Sequence, residues 1–141
     1  MEAKARLLAA FPQFRVADVK RSAEYYRDVL GFRIGDYFGD PPVFVHVARD
    51  HVVIQIGRTL APELATRSPG AIGHNAYIWT DDVDALAVEL KAKGAEILEG
   101  PVDRHYACRE LIVEDCDGLT LCFAKRIEKP ERSDPTGAER P

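Results

Sequence analysis

Apolar residues recur along this chain in two rhythms, and the same order of rhythms occurs twice. Ala23, Tyr26 and Leu30 follow an i, i+3, i+7 spacing that puts them on one face of a helix. Ser22 stands where it caps that helix, and Gly31 sits where a C-terminal stop belongs. Upstream, residues 8–16 end in Phe14-Arg15-Val16 and read as a strand. Pro12 lacks an amide donor and predicts an edge position or an irregular start for it. Downstream come three short strands, 33–38, 43–48 and 52–56, the second with valine at 43, 45 and 47. Gly39-Asp40-Pro41-Pro42 and Arg49-Asp50 supply the turns between them.

The order then repeats. Residues 74–80 read as a strand, and Asp82 is an N-cap for a helix over 83–93 that carries Leu86 and Leu90 on one face and ends at Gly94. Residues 95–98, 108–114 and 119–124 read as strands, with Asp115-Cys116-Asp117-Gly118 as the last hairpin turn. Asp18-Val19 and Asp82-Val83 stand 64 residues apart, and Gly31 and Gly94 stand 63 apart. A repeat of that length is too long for a solenoid unit and too short for a comfortable domain. It predicts one α+β domain made of two βαβββ modules, 11–57 and 74–125. An N-terminal arm (1–10), a linker (58–73) and a disordered polar tail (126–141) flank and join them. The linker, with Pro62, Pro69, Gly70 and Gly73, has room for one helical turn near 63–66. Each module makes a four-stranded sheet with a helix on one face, so eight strands curve around a shared hollow. A cavity lined by both halves is then the natural place for function.

Strand alternation sorts the side chains between helix and hollow. Phe14 and Val16 pack on the first helix, which leaves Phe11, Gln13 and Arg15 facing the hollow with Phe44, His46, Val53 and Gln55. From the second module the same counting directs His74, Ala76 and Ile78, Glu110 and Ile112, and Thr120 and Cys122 inward. Leu119, Leu121 and Phe123 belong to the core, and Trp79 packs on the second helix. Tyr106, in the loop before the seventh strand, overhangs the hollow as a ligand contact. Glu110 is either a solvent-facing residue at the sheet rim or a partner for Arg15 or a cationic ligand. A mostly apolar lining with a few polar groups fits a small, partly aromatic organic ligand.

Composition narrows the classes. The chain is 46% hydrophobic and 30% charged with a net charge of −4, so phosphate-backbone binding has no electrostatic support. Apolar runs are far short of the roughly 20 residues that span a bilayer. The patch 7–11 is too short for a secretory signal. Cys108, Cys116 and Cys122 match no zinc spacing, and three thiols without an export signal point to reduced, mostly buried cysteines in a cytoplasmic protein. No nucleophile elbow and no phosphate-cradling glycine loop is present.

Four motifs carry a family resemblance: Arg15-Val16-Ala17-Asp18-Val19, the run from Ser22 to Phe32 (SAEYYRDVLGF), Gly73-His74, and Asp115-Cys116-Asp117-Gly118. Together they cover 11–125. They resemble the vicinal oxygen chelate superfamily, which includes glyoxalase I, extradiol dioxygenases, fosfomycin-resistance enzymes and bleomycin-resistance proteins. The resemblance implies the paired βαβββ fold just derived, often as a homodimer. It also implies a divalent Ni, Zn, Mn or Fe ion held by His, Glu or Gln on four strands. Those four positions fall here on Phe11, Gln55, His74 and Cys122. Phenylalanine cannot ligate, a Gln carbonyl is weak, and a thiol stands where Glu is usual. Gln13 is the nearest substitute on the first strand. If an ion binds, Gln55 and His74 are its retained ligands. The residues favour a metal-free protein that sequesters a small molecule, such as an antibiotic or another aromatic ligand. The alternatives are a metal-dependent glyoxalase-type lyase, transferase or dioxygenase acting on vicinal oxygens, and a domain with a vestigial pocket.

Overall fold

The computed structural model describes residues 3–60 and 73–128 of the 141. Among the described residues ten elements follow in the order β1 (Gln13–Val16), α1 (Val19–Asp28), β2 (Arg33–Ile34), β3 (Phe44–Arg49), β4 (Val52–Arg58), β5 (Ala76–Trp79), α2 (Val83–Ala92), β6 (Glu96–Asp103), β7 (Cys108–Glu114) and β8 (Thr120–Arg126). They form two four-stranded sheets of identical topology, β1-β4-β3-β2 and β5-β8-β7-β6. In each, the first strand pairs in parallel with the fourth and the remaining pairs are antiparallel. The predicted α+β architecture of two βαβββ modules is therefore the architecture found. The sheets are open; residues 61–72 of the linker, where a helical turn near 63–66 is expected, and the tail from 129 onward lie outside the described residues.

Element boundaries differ from the predicted ones in several places, each for a local reason. The helix α1 is capped by Asp18, whose side chain accepts from the Arg21 amide at 3.1 Å. Ser22 lies inside the first turn, fully buried, and donates to Asp117 instead. Only Gln13–Val16 of the first strand pairs in the sheet. The chain before it runs outside any element with Leu7 and Leu8 99% and 83% exposed. The second strand stops at Ile34, and beyond it a single bridge joins Phe38 to Phe44. By contrast β6 runs on to Asp103, passing two register shifts, and β8 takes in Arg126, which the sequence assigned to the tail. Asp82 caps α2 as expected, through the Ala85 amide at 3.0 Å.

One apolar core runs through both modules. Phe14, Val16, Tyr26, Leu30, Val45 and Ile56 from the first meet Ile78, Leu86, Leu90, Leu111, Leu121 and Phe123 from the second in one buried cluster. The modules also meet at two junctions of the same kind, each placing the helix of one module against the last hairpin of the other. At the first, the turn 115–118 is pressed against α1. Tyr26 donates to Asp115 at 2.7 Å, Ser22 to Asp117 at 2.5 Å, and Arg21 to Asp117 and to the Cys116 carbonyl. At the second, Arg49 of β3 makes a bidentate pair with Glu89 of α2 at 2.7 and 2.8 Å.

Candidate functional site

Each sheet has a face turned away from its helix, and the predicted site residues are divided between these two faces. On the first sheet Gln13, Gln55 and His46 lie abreast, because Gln55 is registered with Gln13 on one side and His46 on the other. Gln13 Nε2 donates to Gln55 Oε1 at 2.6 Å. The Phe44 ring meets His46 edge-on at 5.2 Å and Phe38 at 5.9 Å. Phe11, just before the strand, and Arg15 are exposed beside them. This face is open, lined by aromatic rings and neutral polar groups.

On the second sheet, directly opposed residues place Tyr77 beside Cys122, Trp79 beside Ala124, Ile112 beside Cys122, and Glu110 beside Ala124. This corrects the expected parity of β5. Ala76 and Ile78 are buried in the core, while Tyr77 and Trp79 occupy the candidate face, 45% and 53% exposed. Trp79 does not pack on α2. Its ring contacts Tyr77 edge-on at 5.4 Å and carries the Arg126 guanidinium at 5.3 Å, a cation–π geometry. The sequence reading ran one unbroken strand from His74, but the ladder starts at Ala76. Before it the Asn75 side chain accepts from the Thr120 amide at 2.9 Å. The signal was present in the repeat: the 64-residue offset maps core residue Phe14 onto Ile78, and open-face residues Gln13 and Arg15 onto Tyr77 and Trp79.

Glu110 organises the second face. It is 3% exposed, so it is not a rim residue, and Arg15 is not its partner. Its Oε2 accepts from Tyr77 at 2.6 Å and from Tyr106 at 2.8 Å, and its Oε1 from Arg104 Nε at 3.0 Å. Arg104 also pairs with Glu99. Burial by itself would raise the Glu110 carboxyl, but donation from Tyr77, Tyr106 and Arg104 outweighs it and holds the group below the usual carboxylate value. Tyr106 therefore lies on the same face as Glu110, to which it donates. Arg104 and Tyr77 are members of the site that the sequence did not disclose. Arg104 reaches Glu110 because the loop between β6 and β7 is tight: the Arg104 amide donates to the Cys108 carbonyl, and Ala107 takes a positive φ of 63°. The approach of the two strands depends on Gly100. A Cβ there would lie 2.2 Å from the Glu110 carbonyl oxygen.

The donor set does not suit a divalent ion. Phe11 offers no lone pair, and Gln55 is engaged by Gln13. Cys122 is fully buried, and its thiol is pushed up to about 12, first by burial and then by the Glu110 charge, so it stays protonated at neutral pH. His74 is exposed with Nδ1 3.2 Å from Thr120 Oγ1 and lies just before the second sheet, whereas Gln55 belongs to the first and is held by Gln13. Among the described residues no three His, Cys, Asp or Glu side chains gather as a metal-binding group. No helix among them is long and apolar enough to cross a membrane.

Two βαβββ modules, each presenting one sheet face away from its helix, define the class of fold. A family model for the Glyoxalase/Bleomycin resistance protein/Dioxygenase superfamily matches residues 9–123, and the chain belongs to that superfamily. Among solved structures, the bleomycin-binding protein from bleomycin-producing Streptomyces verticillus, complexed with copper(II)-bleomycin, is 23% identical. It covers 89% of this chain and 100% of its own, with a TM-score of 0.63. TnmS3, an antibiotic binding protein from Streptomyces sp. CB03234, is 19% identical over 86% of this chain and 99% of its own, with a TM-score of 0.60. TioX from Micromonospora sp. ML1 is 20% identical over 88% and 100%, with a TM-score of 0.65.

Proposed function

We propose that this chain is a non-catalytic protein that binds and sequesters a small, flat, partly aromatic molecule on the face built by Tyr77, Trp79, Glu110 and Tyr106. The carrying observation is the pair of half-exposed aromatic rings beside an ionised, buried carboxylate. Aromatic area of this kind is costly to leave in water and gains on stacking with a planar ligand. Glu110 and its donors then fix the ligand's orientation. The membership of bleomycin-binding and antibiotic-binding proteins in the same fold group supports the reading. So does the absence of a suitable metal donor set among Phe11, Gln55, His74 and Cys122. A second copy of the chain completes the site in this proposal. The open first-sheet face with Phe11, Gln13, Arg15, Phe44 and His46, and the exposed leucines at 7 and 8, supply the surface for such a homodimer.

Trp79 is the single tryptophan of the chain and borders both this face and the cleft between the modules, so its emission reports on the face when Tyr106→Phe and Glu110→Gln alter the same titration. Titration with a panel of planar aromatic antibiotics, copper-bleomycin included, is expected to quench it saturably for at least one compound. Trp79→Phe removes the signal while calorimetry retains most of the affinity, and Trp79→Ala weakens binding by about tenfold or more, as loss of a stacking ring does. Added Ni, Zn, Mn or Fe ions leave the affinity unchanged. A stoichiometric ion that raises affinity and is lost on His74→Ala would overturn the proposal, as would a panel in which no compound quenches.

A further inference from the structure

The two module junctions are built from corresponding parts, but only one of them is filled. The 64-residue offset maps Arg21, Ser22, Tyr25 and Tyr26 of α1 onto Ala85, Leu86, Glu89 and Leu90 of α2. In the first junction those α1 side chains hold the turn 115–118 by hydrogen bonds through Tyr26, Ser22 and Arg21. In the second, three of the four corresponding positions carry no polar group. The turn at 49–52 stands off α2, and a cavity of about 520 Å3 opens between them. Its floor is apolar, made of Leu30 and Phe32 from one module and Ile78, Leu86 and Phe123 from the other, all buried. The rim is acidic: Asp50, Asp81 and Asp82 stand around it with Glu89.

The charge available to an occupant is negative. Arg49 is the rim's guanidinium, and it is consumed by Glu89 and by the Leu30 carbonyl at 2.9 Å. His51 is the other basic group on the rim. Asp50 and Asp81 make no hydrogen bond or ion pair among the described residues, and Asp82 spends one oxygen on the Ala85 amide. The geometry points to a second binding site in this inter-module cleft, which borders the Glu110 face at Trp79 but shares none of Tyr77, Tyr106 or Glu110, and which takes a small organic cation: an arylalkyl ammonium whose ring lies on the Leu30, Phe32, Ile78 and Phe123 floor and whose charge meets the rim carboxylates. An apolar floor with a few polar groups of one sign selects both ends of such a molecule.

The probe is phenethylammonium, followed by amide chemical shifts of the full-length protein, with 2-phenylethanol and 3-phenylpropionate as neutral and anionic counterparts. Saturable shifts are expected in 50–52 and 82–89. The alcohol should bind several-fold more weakly, and the anion should not saturate. Replacing Asp50 and Asp81 together by Asn is expected to weaken phenethylammonium by about tenfold, the scale of two partly screened charge contacts. Ala85 is exposed on α2, so Ala85→Trp fills the cleft from outside the core and should abolish the shifts while the spectrum keeps its native dispersion. Three results would overturn the site: shifts centred on Tyr106 and Glu110, equal binding of the anion, or undiminished binding by Ala85→Trp. Absence of any saturable shift at millimolar probe would overturn it equally. None of these outcomes depends on whether the Glu110 face binds its own ligand.

Discussion

Glu110 carries more interactions than any other carboxylate on the candidate face, and its chemistry sets a measurable pH dependence. Its native carboxyl lies below the usual value because three donors favour the charged form. The stabilisation is therefore fully present above the unfolded value of roughly 4.3 and is lost as pH falls through the lower native value. Glu110→Gln is expected to destabilise the fold by about 2 kcal/mol at pH 7, the scale of lost hydrogen bonds to a buried charge. The deficit against the parent should shrink below about pH 4, where the parent loses its charge as well. Denaturant titrations of both proteins at several pH values measure this, and a pH-independent deficit would contradict it. Strand alternation was enough to place Glu110 on this face. Its partner was not legible, because alternation says which side a residue faces and nothing of which long side chain curls back to meet it. Arg104 comes from a loop only six residues away, and only the shape of that loop aims it.

Helices and hairpins show what joins the modules. Tyr26, fully buried on α1, donates to Asp115, whose carboxyl is raised by burial in spite of donation from Tyr26 and from the amides of Asp117 and Leu119. Tyr26→Phe leaves that carboxylate short of one donor and should cost about 1–3 kcal/mol. Arg49→Met at the other junction removes a partly exposed pair and should cost about 1 kcal/mol or less. Thermal unfolding of the two variants tests the ranking, and the reverse order would mean that the Arg49–Glu89 pair is the stronger tie. The helices themselves were readable from apolar spacing and from the glycines that end them. Ser22 was misassigned as a cap because a hydroxyl near a helix start satisfies the pattern. Its true partner, Asp117, is 95 residues away and invisible to any local rule. The parity of β5 failed for a different reason. A break at Asn75 resets the alternation, and only comparison with Phe14 in the first module restores it.

At the level of the whole chain, the duplicated order of elements was the most legible feature, and it is the feature the two identical sheet topologies reproduce. Its limit is equally physical. Two copies of one topology share backbone geometry, but the side chains that line their faces have diverged, Gln13 against Tyr77 and Arg15 against Trp79, so the repeat locates the two open faces without naming what either would bind. The open first-sheet face gives a further expectation. If a second copy covers it, unfolding temperature should rise with protein concentration, since mass action favours the associated native form. Phe44→Glu, a partly buried position on that face, should remove the concentration dependence. Sedimentation of the parent as a monomer at every accessible concentration would dismiss the assembly.

The missing side chain at Gly100 has consequences well beyond its own position. With only a hydrogen there, β6 closes against the Glu110 carbonyl, and the chain that follows is delivered in register for Arg104 and Tyr106 to reach the carboxylate. A single methyl at this place wedges the hairpin open. Gly100→Ala should therefore act at a distance, unlatching Tyr106 and admitting solvent to Glu110, visible as faster amide exchange across 100–110 while α1 and its sheet remain protected.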